Sequence, residues 1–167
     1  AGALAQTVLQ RQGVSLYAFL VQLAELRHPG SAQDWAKSMP KVDKSQLYCF
    51  DQSIQAAMLQ RIRELQSSGD SVGGKVFFAA KGLPIGLGAP LYQKMEAELA
   101  YAMLSIPASK SFEIGAGLAA VSMTGSQHND GFVADADGIR PSSNHAGGVL
   151  AGITTGMPLY GEVGFKP

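Results

Sequence analysis

The sequence predicts an α+β domain in which helices layer against a sheet. Three observations carry that prediction. Residues 52–66 place Ile54, Met58, Ile62 and Leu65 on one face at helical spacing. Apolar, β-prone runs recur at 14–23, 75–80, 112–123 and 159–166. No strict strand–helix–strand repeat links them, which argues against a parallel doubly wound sheet. A hydrophobic share of 46% against 16% charged residues describes a folded chain, and 167 residues suit one compact domain. Thirteen basic and thirteen acidic side chains cancel. That balance removes the whole-chain electrostatic ground for nucleic-acid or anionic-membrane binding and leaves a local basic patch open. Cys49 is alone, so neither a disulfide framework nor a thiolate metal site is expected. No apolar run approaches a membrane span and no leader pattern opens the chain, so a cytoplasmic protein is expected.

In chain order, residues 1–12 read as a helix already in progress, with Leu4 and Val8 on one face beside Ala1 and Ala5. No capping side chain precedes it, and Gly13 marks its end. A strand over 14–23 follows. Residues 27–48, with Pro29, Gly30 and Pro40, read as a loop-rich excursion anchored by Trp35, with His28 solvated beside Pro29. Asp51 or Ser53 caps the helix over 52–66, whose Met58 fills core, and Gly69-Asp70 closes it. After the 75–80 strand, Pro84 and the glycines at 82, 86 and 88 make an irregular turn. Pro90 then suits the first position of a helix running to Leu104, with Tyr92, Met95, Leu99 and Met103 on its buried face. A strand over 112–123 leads into a long loop, and 159–166 alternates as a last strand.

Several apparent motifs fail on context. Gly115-Ala116-Gly117-Leu118-Ala119-Ala120 fits a loose dinucleotide pattern, but residues 121–125 read as continuing strand and loop where a helix should open. Asp130, Asp135 and Asp137 resemble a calcium loop, yet Val133 and Asn144 stand where ligands belong, leaving a solvated acidic loop. His128 has no metal partner at useful spacing, and Cys49 has no neighbouring base. The densest feature is glycine. Gly147, Gly148, Gly152, Gly156 and Gly161 fall within fifteen residues, interleaved with Val149, Leu150 and Ile153. Such a pattern is unlike a polar linker and marks buried backbone. Either elements pack tightly across it, or its N–H groups form a bed for a planar or anionic ligand.

Ser143-Asn144-His145-Ala146-Gly147-Gly148-Val149-Leu150-Ala151-Gly152-Ile153-Thr154-Thr155-Gly156 closely resembles the glycine-rich signature of the chorismate synthase family. Gly69-Asp70-Ser71-Val72-Gly73-Gly74 is similar to that family's GDSVGG turn, and residues 82–90 to its GVPAGLGEP segment. Residues 105–110, the Phe112-Glu113-Ile114-Gly115 block and Lys166-Pro167, which opens a KPTSS motif, follow in the family's order. The resemblance covers nearly the whole chain. It implies a β-α-β sandwich, with helices held between antiparallel sheets, assembled as a homotetramer. It also implies the 1,4-elimination of phosphate from enolpyruvylshikimate phosphate to give chorismate, in the shikimate pathway of aromatic amino-acid biosynthesis, with reduced FMN as cofactor.

By position, the flavin-binding residues implied are Pro107, Ala108, Ala151, Lys166 and Pro167. Ala151 departs from the family's usual glycine, and Ser109 and Ser111 from its frequent Val and Gly. His145 occupies a position that is His or Asn in the family, which implies hydrogen bonding rather than proton transfer. The family's two catalytic histidines and most substrate-binding arginines match nothing between Ala1 and Pro167, so no catalytic residue is assigned. On the same ground residues 1–167 are expected to be one internal fragment, cut at both ends and roughly half of a longer parent. Such a fragment is expected to be inactive alone. The alternatives are a non-catalytic oligomer-forming piece and a paralogue that binds a phosphorylated ligand without the elimination.

Overall fold

The computed structural model describes residues 1–39, 41–42, 46–135 and 138–167. Pro40 of the expected excursion and Asp137 of the acidic loop lie outside the described residues. The first half runs α1 (Gly2–Arg11), β1 (Ser15–Leu23), β2 (Leu26–Arg27), α2 (Ala32–Ser38), α3 (Gln52–Ser67) and β3 (Gly74–Lys81). The second runs α4 (Met95–Leu104), β4 (Ser109–Ile114), a 3₁₀ turn (Gly117–Ser122), α5 (Gly125–His128), β5 (Phe132–Asp135), β6 (Gly138–Pro141), β7 (Val149–Leu150), β8 (Ile153–Thr154) and β9 (Leu159–Phe165). Strands β2, β1, β3, β9 and β4, in that order, form one five-stranded sheet whose pairings are all antiparallel. The pairs β5–β6 and β7–β8 are separate hairpins. The α+β class therefore holds.

Register sorts the sheet into two chemically different faces. Phe77 lies opposite Phe19 on one side and Glu162 on the other, and Glu162 lies opposite Glu113. Alternation then puts Phe19, Phe77 and Tyr160 on one face. There Trp35 of α2 closes an aromatic cluster, with ring centroids 4.8 Å apart for Phe19–Phe77 and 5.8 Å for Trp35–Phe77. The opposite face carries Phe78, Ala80, Leu159 and Val163, against which Met95, Leu99 and Met103 of α4 and Leu9 of α1 pack. Helix α3 covers the β1–β2 end through Ile54, Met58 and Ile62, with Cys49 buried beside Met58.

Local chemistry explains where the helices begin. Asp51 Oδ1 accepts the Ser53 and Ile54 N–H groups at 2.8 and 3.3 Å, so the cap and the Met58 stripe fall as the sequence predicts. Ser31 and Asp34 form a reciprocal capping box that starts α2 inside the supposed loop. Trp35 anchors that segment as expected, its Nε1 donating to the Pro29 carbonyl at 3.2 Å. Helix α1 has no side-chain cap and leaves Leu4 and Val8 exposed.

Four further readings change. Helix α4 starts at Met95 rather than Pro90, because Ala89 and Gln93 exchange backbone hydrogen bonds of 2.7 and 3.0 Å and hold 89–93 as a turn. Tyr92 is accordingly 89% exposed rather than on the buried face. The strand expected over 112–123 ends at Ile114, where Gly115 turns the chain and Glu113 accepts the Leu118 N–H at 3.2 Å. A six-residue 3₁₀ turn follows, so the dinucleotide pattern fails because β4 is an antiparallel edge strand, not because strand continues.

The fourth is His28. It is 2% exposed, stacked on Phe50 at a centroid separation of 4.3 Å, and neither ring nitrogen has a hydrogen-bond partner among the described residues. Burial lowers its pKa, and nearby Asp51 only partly offsets that. The folded state therefore prefers neutral imidazole, and the unfolded chain takes up the extra proton as pH falls through about 6.5. Stability is expected to fall across pH 7 to 5 in urea titrations. His28→Leu should flatten that limb, and an unchanged slope in the variant would refute the assignment.

Candidate functional site

The glycine-rich segment is held by one buried carboxylate. Asp130 Oδ1 accepts Ser143 Oγ at 2.6 Å and the His145 N–H at 2.7 Å, and Oδ2 accepts the Ala146 N–H at 2.9 Å. The His145 ring meets the same carboxylate, Nδ1 lying 3.1 Å from Oδ1. This agrees with a hydrogen-bonding His145. Burial alone would raise the Asp130 pKa, but the hydrogen bonds from Ser143, Ala146 and His145 outweigh it and hold the carboxyl below its ordinary value. Asp130 is thus a structural anchor rather than part of a solvated acidic loop.

Asn144 continues the same lock. Its Nδ2 donates to the Pro158 carbonyl and its Oδ1 accepts the Gly148 N–H, both at 2.7 Å. Its backbone carbonyl accepts the Tyr160 hydroxyl at 2.7 Å. Burial pushes the Tyr160 phenol far above its usual pKa, with smaller contributions from Asp130 and Asp34, so it stays a donor. Gly147 lies against Gly115, and a β-carbon on Gly147 would strike the Gly115 backbone. The Ala116 N–H donates to the His145 carbonyl at 2.7 Å across the same contact. Of the two readings of these glycines, close packing therefore accounts for Gly147. The amides of His145, Ala146 and Gly148 are engaged by Asp130 and Asn144, not directed at a ligand.

Beside this segment a charged quartet lies across the sheet. Arg27 donates to Glu162 through both terminal nitrogens, at 2.7 and 3.2 Å. Lys75 lies 2.9 Å from Glu113 and 3.3 Å from Glu162. Burial would raise Glu113, yet hydrogen bonds from Lys75 and the Leu118 N–H bring it below its ordinary value. Burial would lower Lys75, and its two carboxylate partners raise it instead. A cleft of about 320 Å³ opens here, lined by Arg27, Lys75, Glu113, His145, Tyr160 and Glu162. Sequence reasoning missed the quartet. Only the period-2 placement of Lys75 and Glu162 on their strands could have signalled it, since Arg27 and Glu162 are 135 residues apart.

The five residues implied by position divide into two groups. Pro107 and Ala108 follow α4, and the Ala108 carbonyl accepts the Lys166 N–H at 3.0 Å, which brings both beside Lys166 and Pro167. All four are exposed. Ala151 lies elsewhere, in the two-residue turn between β7 and β8, where it takes φ +51° and Gly152 takes φ +88°. The Gly152 carbonyl accepts the Met95 N–H at 2.8 Å, which puts the turn at the start of α4. A ten-residue helix spans about 15 Å, so Ala151 and Ala108 mark opposite ends of it. Among the described residues no three His, Cys, Asp or Glu side chains cluster to hold a metal. No described helix is long and apolar enough to cross a membrane.

Two stability predictions follow from this geometry. Asp130→Asn removes the charge from three N–H or O–H donors in a buried place and should cost about 2 kcal/mol in urea unfolding. Because the folded pKa of Asp130 is depressed, its contribution is present above about pH 4 and is lost as pH falls below that. An Asn variant as stable as the parent at pH 7 would contradict the anchor. Left-handed backbone disfavours a β-carbon, so Ala151→Gly should stabilise the chain by about 1 kcal/mol. A destabilised glycine variant would show that the methyl group packs favourably.

Comparison with known proteins places this geometry in a family. The family model described as chorismate synthase matches residues 1–167. The chorismate synthase of Opitutus terrae is 40% identical over 168 residues, covering 100% of this chain and 46% of its own. That of Syntrophobacter fumaroxidans is 42% identical over 167 residues, covering 100% and 45%. A crystal structure of a chorismate synthase superposes with a TM-score of 0.92 at 29% identity, over 99% of this chain and 53% of that one. The chain therefore spans about half the length of the relatives it matches. It belongs to the chorismate synthase family.

Proposed function

We propose that residues 1–167 form one part of a lyase that converts enolpyruvylshikimate phosphate to chorismate and phosphate by 1,4-elimination. The observation that carries this reading is the match along the whole chain, in fold as well as in sequence. The proposed assembly is a cytoplasmic homotetramer with a small-molecule substrate. Exposed Leu4 and Val8 on α1, Tyr101 and Leu104 on α4, and Leu118 and Val121 on the 3₁₀ turn support further covering of these faces.

The proposed cofactor is reduced FMN, which when bound supplies an electron transiently and recovers it. The patch of Pro107, Ala108, Lys166 and Pro167 fits one edge of such a molecule. The Ala108 carbonyl is engaged by the Lys166 N–H, two prolines stiffen the flanks, and the lysine can offset negative charge. Ala151, at the other end of α4, fits only as a contact to a separate part of the assembled site. None of the three histidines suits proton transfer to substrate. His28 is buried, His145 is bound to Asp130, and His128 stands on the one-turn helix α5.

An anaerobic assay with reduced FMN tests this. The isolated chain should form no chorismate, and an intact parent chain should form it. Turnover by the isolated chain would contradict the first statement, and an inactive, folded parent would contradict the second. Flavin titration should show weak binding that Lys166→Gln weakens by roughly a further fivefold. Riboflavin, which lacks the phosphate, serves as the comparison ligand for the ring contact alone. Equal affinity in parent and variant for both flavins would remove Lys166 from the site.

A further inference from the structure

Local spacing gives His128 no metal partner, but the fold supplies one. His128 ends α5, and Asp130 follows it closely in the chain. The lock that binds Asp130 to residues 143–146 therefore carries His128 to the side of His145. Their ring centroids lie 6.1 Å apart. We propose that these two imidazoles bind a late first-row divalent cation such as zinc, with water at its remaining positions. The inference rests on ring geometry and on the tautomer of His145, and it does not depend on the flavin reading.

The tautomer follows from Asp130. Its carboxylate accepts the Ser143 hydroxyl and the His145 and Ala146 amides, so it meets the His145 ring as an acceptor too. Nδ1, 3.1 Å from Oδ1, is then the nitrogen that carries the proton. Nε2 keeps its lone pair and has no hydrogen-bond partner among the described residues. A carboxylate behind one imidazole nitrogen orients the ring and makes the other nitrogen a better metal ligand. The backbone of His145 is held as well, its N–H by Asp130 and its carbonyl by the Ala116 N–H at 2.7 Å. Its side chain is 23% exposed and lines the cleft of about 320 Å³, so an ion reaches it from solvent.

Distance decides whether one ion can serve both rings. A cation about 2.1 Å from an imidazole nitrogen lies about 3.2 Å from the ring centre. Two rings sharing it have centres about 5 Å apart at the tetrahedral angle and about 6.4 Å apart in line. The observed 6.1 Å falls inside that range. His128 makes no side-chain hydrogen bond among the described residues, so its ring is free to turn toward the ion. No third His, Cys, Asp or Glu joins the pair among the described residues, which leaves the other positions to water. Two neutral nitrogen ligands favour zinc, copper or nickel over magnesium or calcium. Bound there, the ion ties the one-turn helix α5 directly to the glycine-rich loop.

The test uses the ¹⁵N-labelled chain with zinc chloride as probe, in the absence of flavin, followed by calorimetry and by spectra of the histidine rings. One saturable site is expected. Zinc should shift the ring nitrogens of His128 and His145 and leave those of buried His28 in place. His128→Asn and His145→Asn should each weaken binding at least tenfold, since losing even an outer-shell partner costs about that much. The family resemblance admits Asn at position 145, and His128 lies outside the hydrogen bonds of the lock, so one readable variant remains if the other unfolds. Magnesium should give no saturable response at the same concentration. Unchanged zinc affinity in either folded variant, ring shifts confined to one histidine, or a magnesium response equal to that of zinc would overturn the proposal. Because the probe carries no flavin, each of these outcomes leaves the proposed flavin contacts to be judged by their own titration.

Discussion

The Asp130 carboxylate is the interaction on which most of the molecule's second half depends. It gathers a hydroxyl, two backbone amides and an imidazole nitrogen from residues 143–146. A buried carboxylate with its acceptors filled is far less costly than one left bare, so the loop and the charge stabilise each other. The loop so fixed presents Asn144, which reaches Pro158, Gly148 and the Tyr160 hydroxyl. Tyr160 lies in β9, between β3 and β4. One carboxylate therefore links an irregular glycine-rich loop to the middle of the main sheet.

The sheet has divided its labour between its faces. One is apolar and covered by α4, whose core-facing methionines tolerate irregular gaps. The other changes along its length, from the aromatic cluster under α2 to the charged quartet and then to a cleft lined by Lys75, Lys110 and Lys166. All four members of the quartet line the cleft beside His145, and Lys75 also lines the one at the end of the sheet. Glu162 is buried and would be costly without both of its cationic partners, so Arg27 on β2 and Lys75 on β3 tie the second strand to the ninth. Burial of an ion pair of this kind gives weaker stabilisation than its short distances suggest, and its effect is chiefly to fix which residues meet.

Much of this was legible in the amino-acid order. The α3 stripe, its Asp51 cap, the β3 run and the packing role of Trp35 all follow from local patterns of period and capping. Family signatures located the glycine-rich segment before its geometry was known. What the sequence could not show were contacts between distant residues. Arg27 with Glu162 and Asp130 with residues 143–146 depend on sheet order, which local spacing does not encode. His28 misled for the same reason, since Phe50 stacks on it from elsewhere in the chain. Residues 115–123 misled because an apolar run directly after β4 reads as more strand, while Gly115 and the Glu113 carboxylate redirect the backbone into a 3₁₀ turn. Ala151 is the converse case: its departure from glycine was visible at once, and the left-handed turn gives it a physical meaning.

Family membership, the Ala108–Lys166 contact and the lock around Asp130 concern different layers of one account, and the lock is the layer that every functional reading presupposes. Native-state hydrogen exchange at the amides of His145, Ala146 and Gly148 tests it most directly. Engaged by buried acceptors, these three should exchange as slowly as the central amides of β9, although they lie in a loop. Exchange at the rate of exposed loop amides would show that Asp130 and Asn144 do not hold the segment, and the account of the site would fail with them.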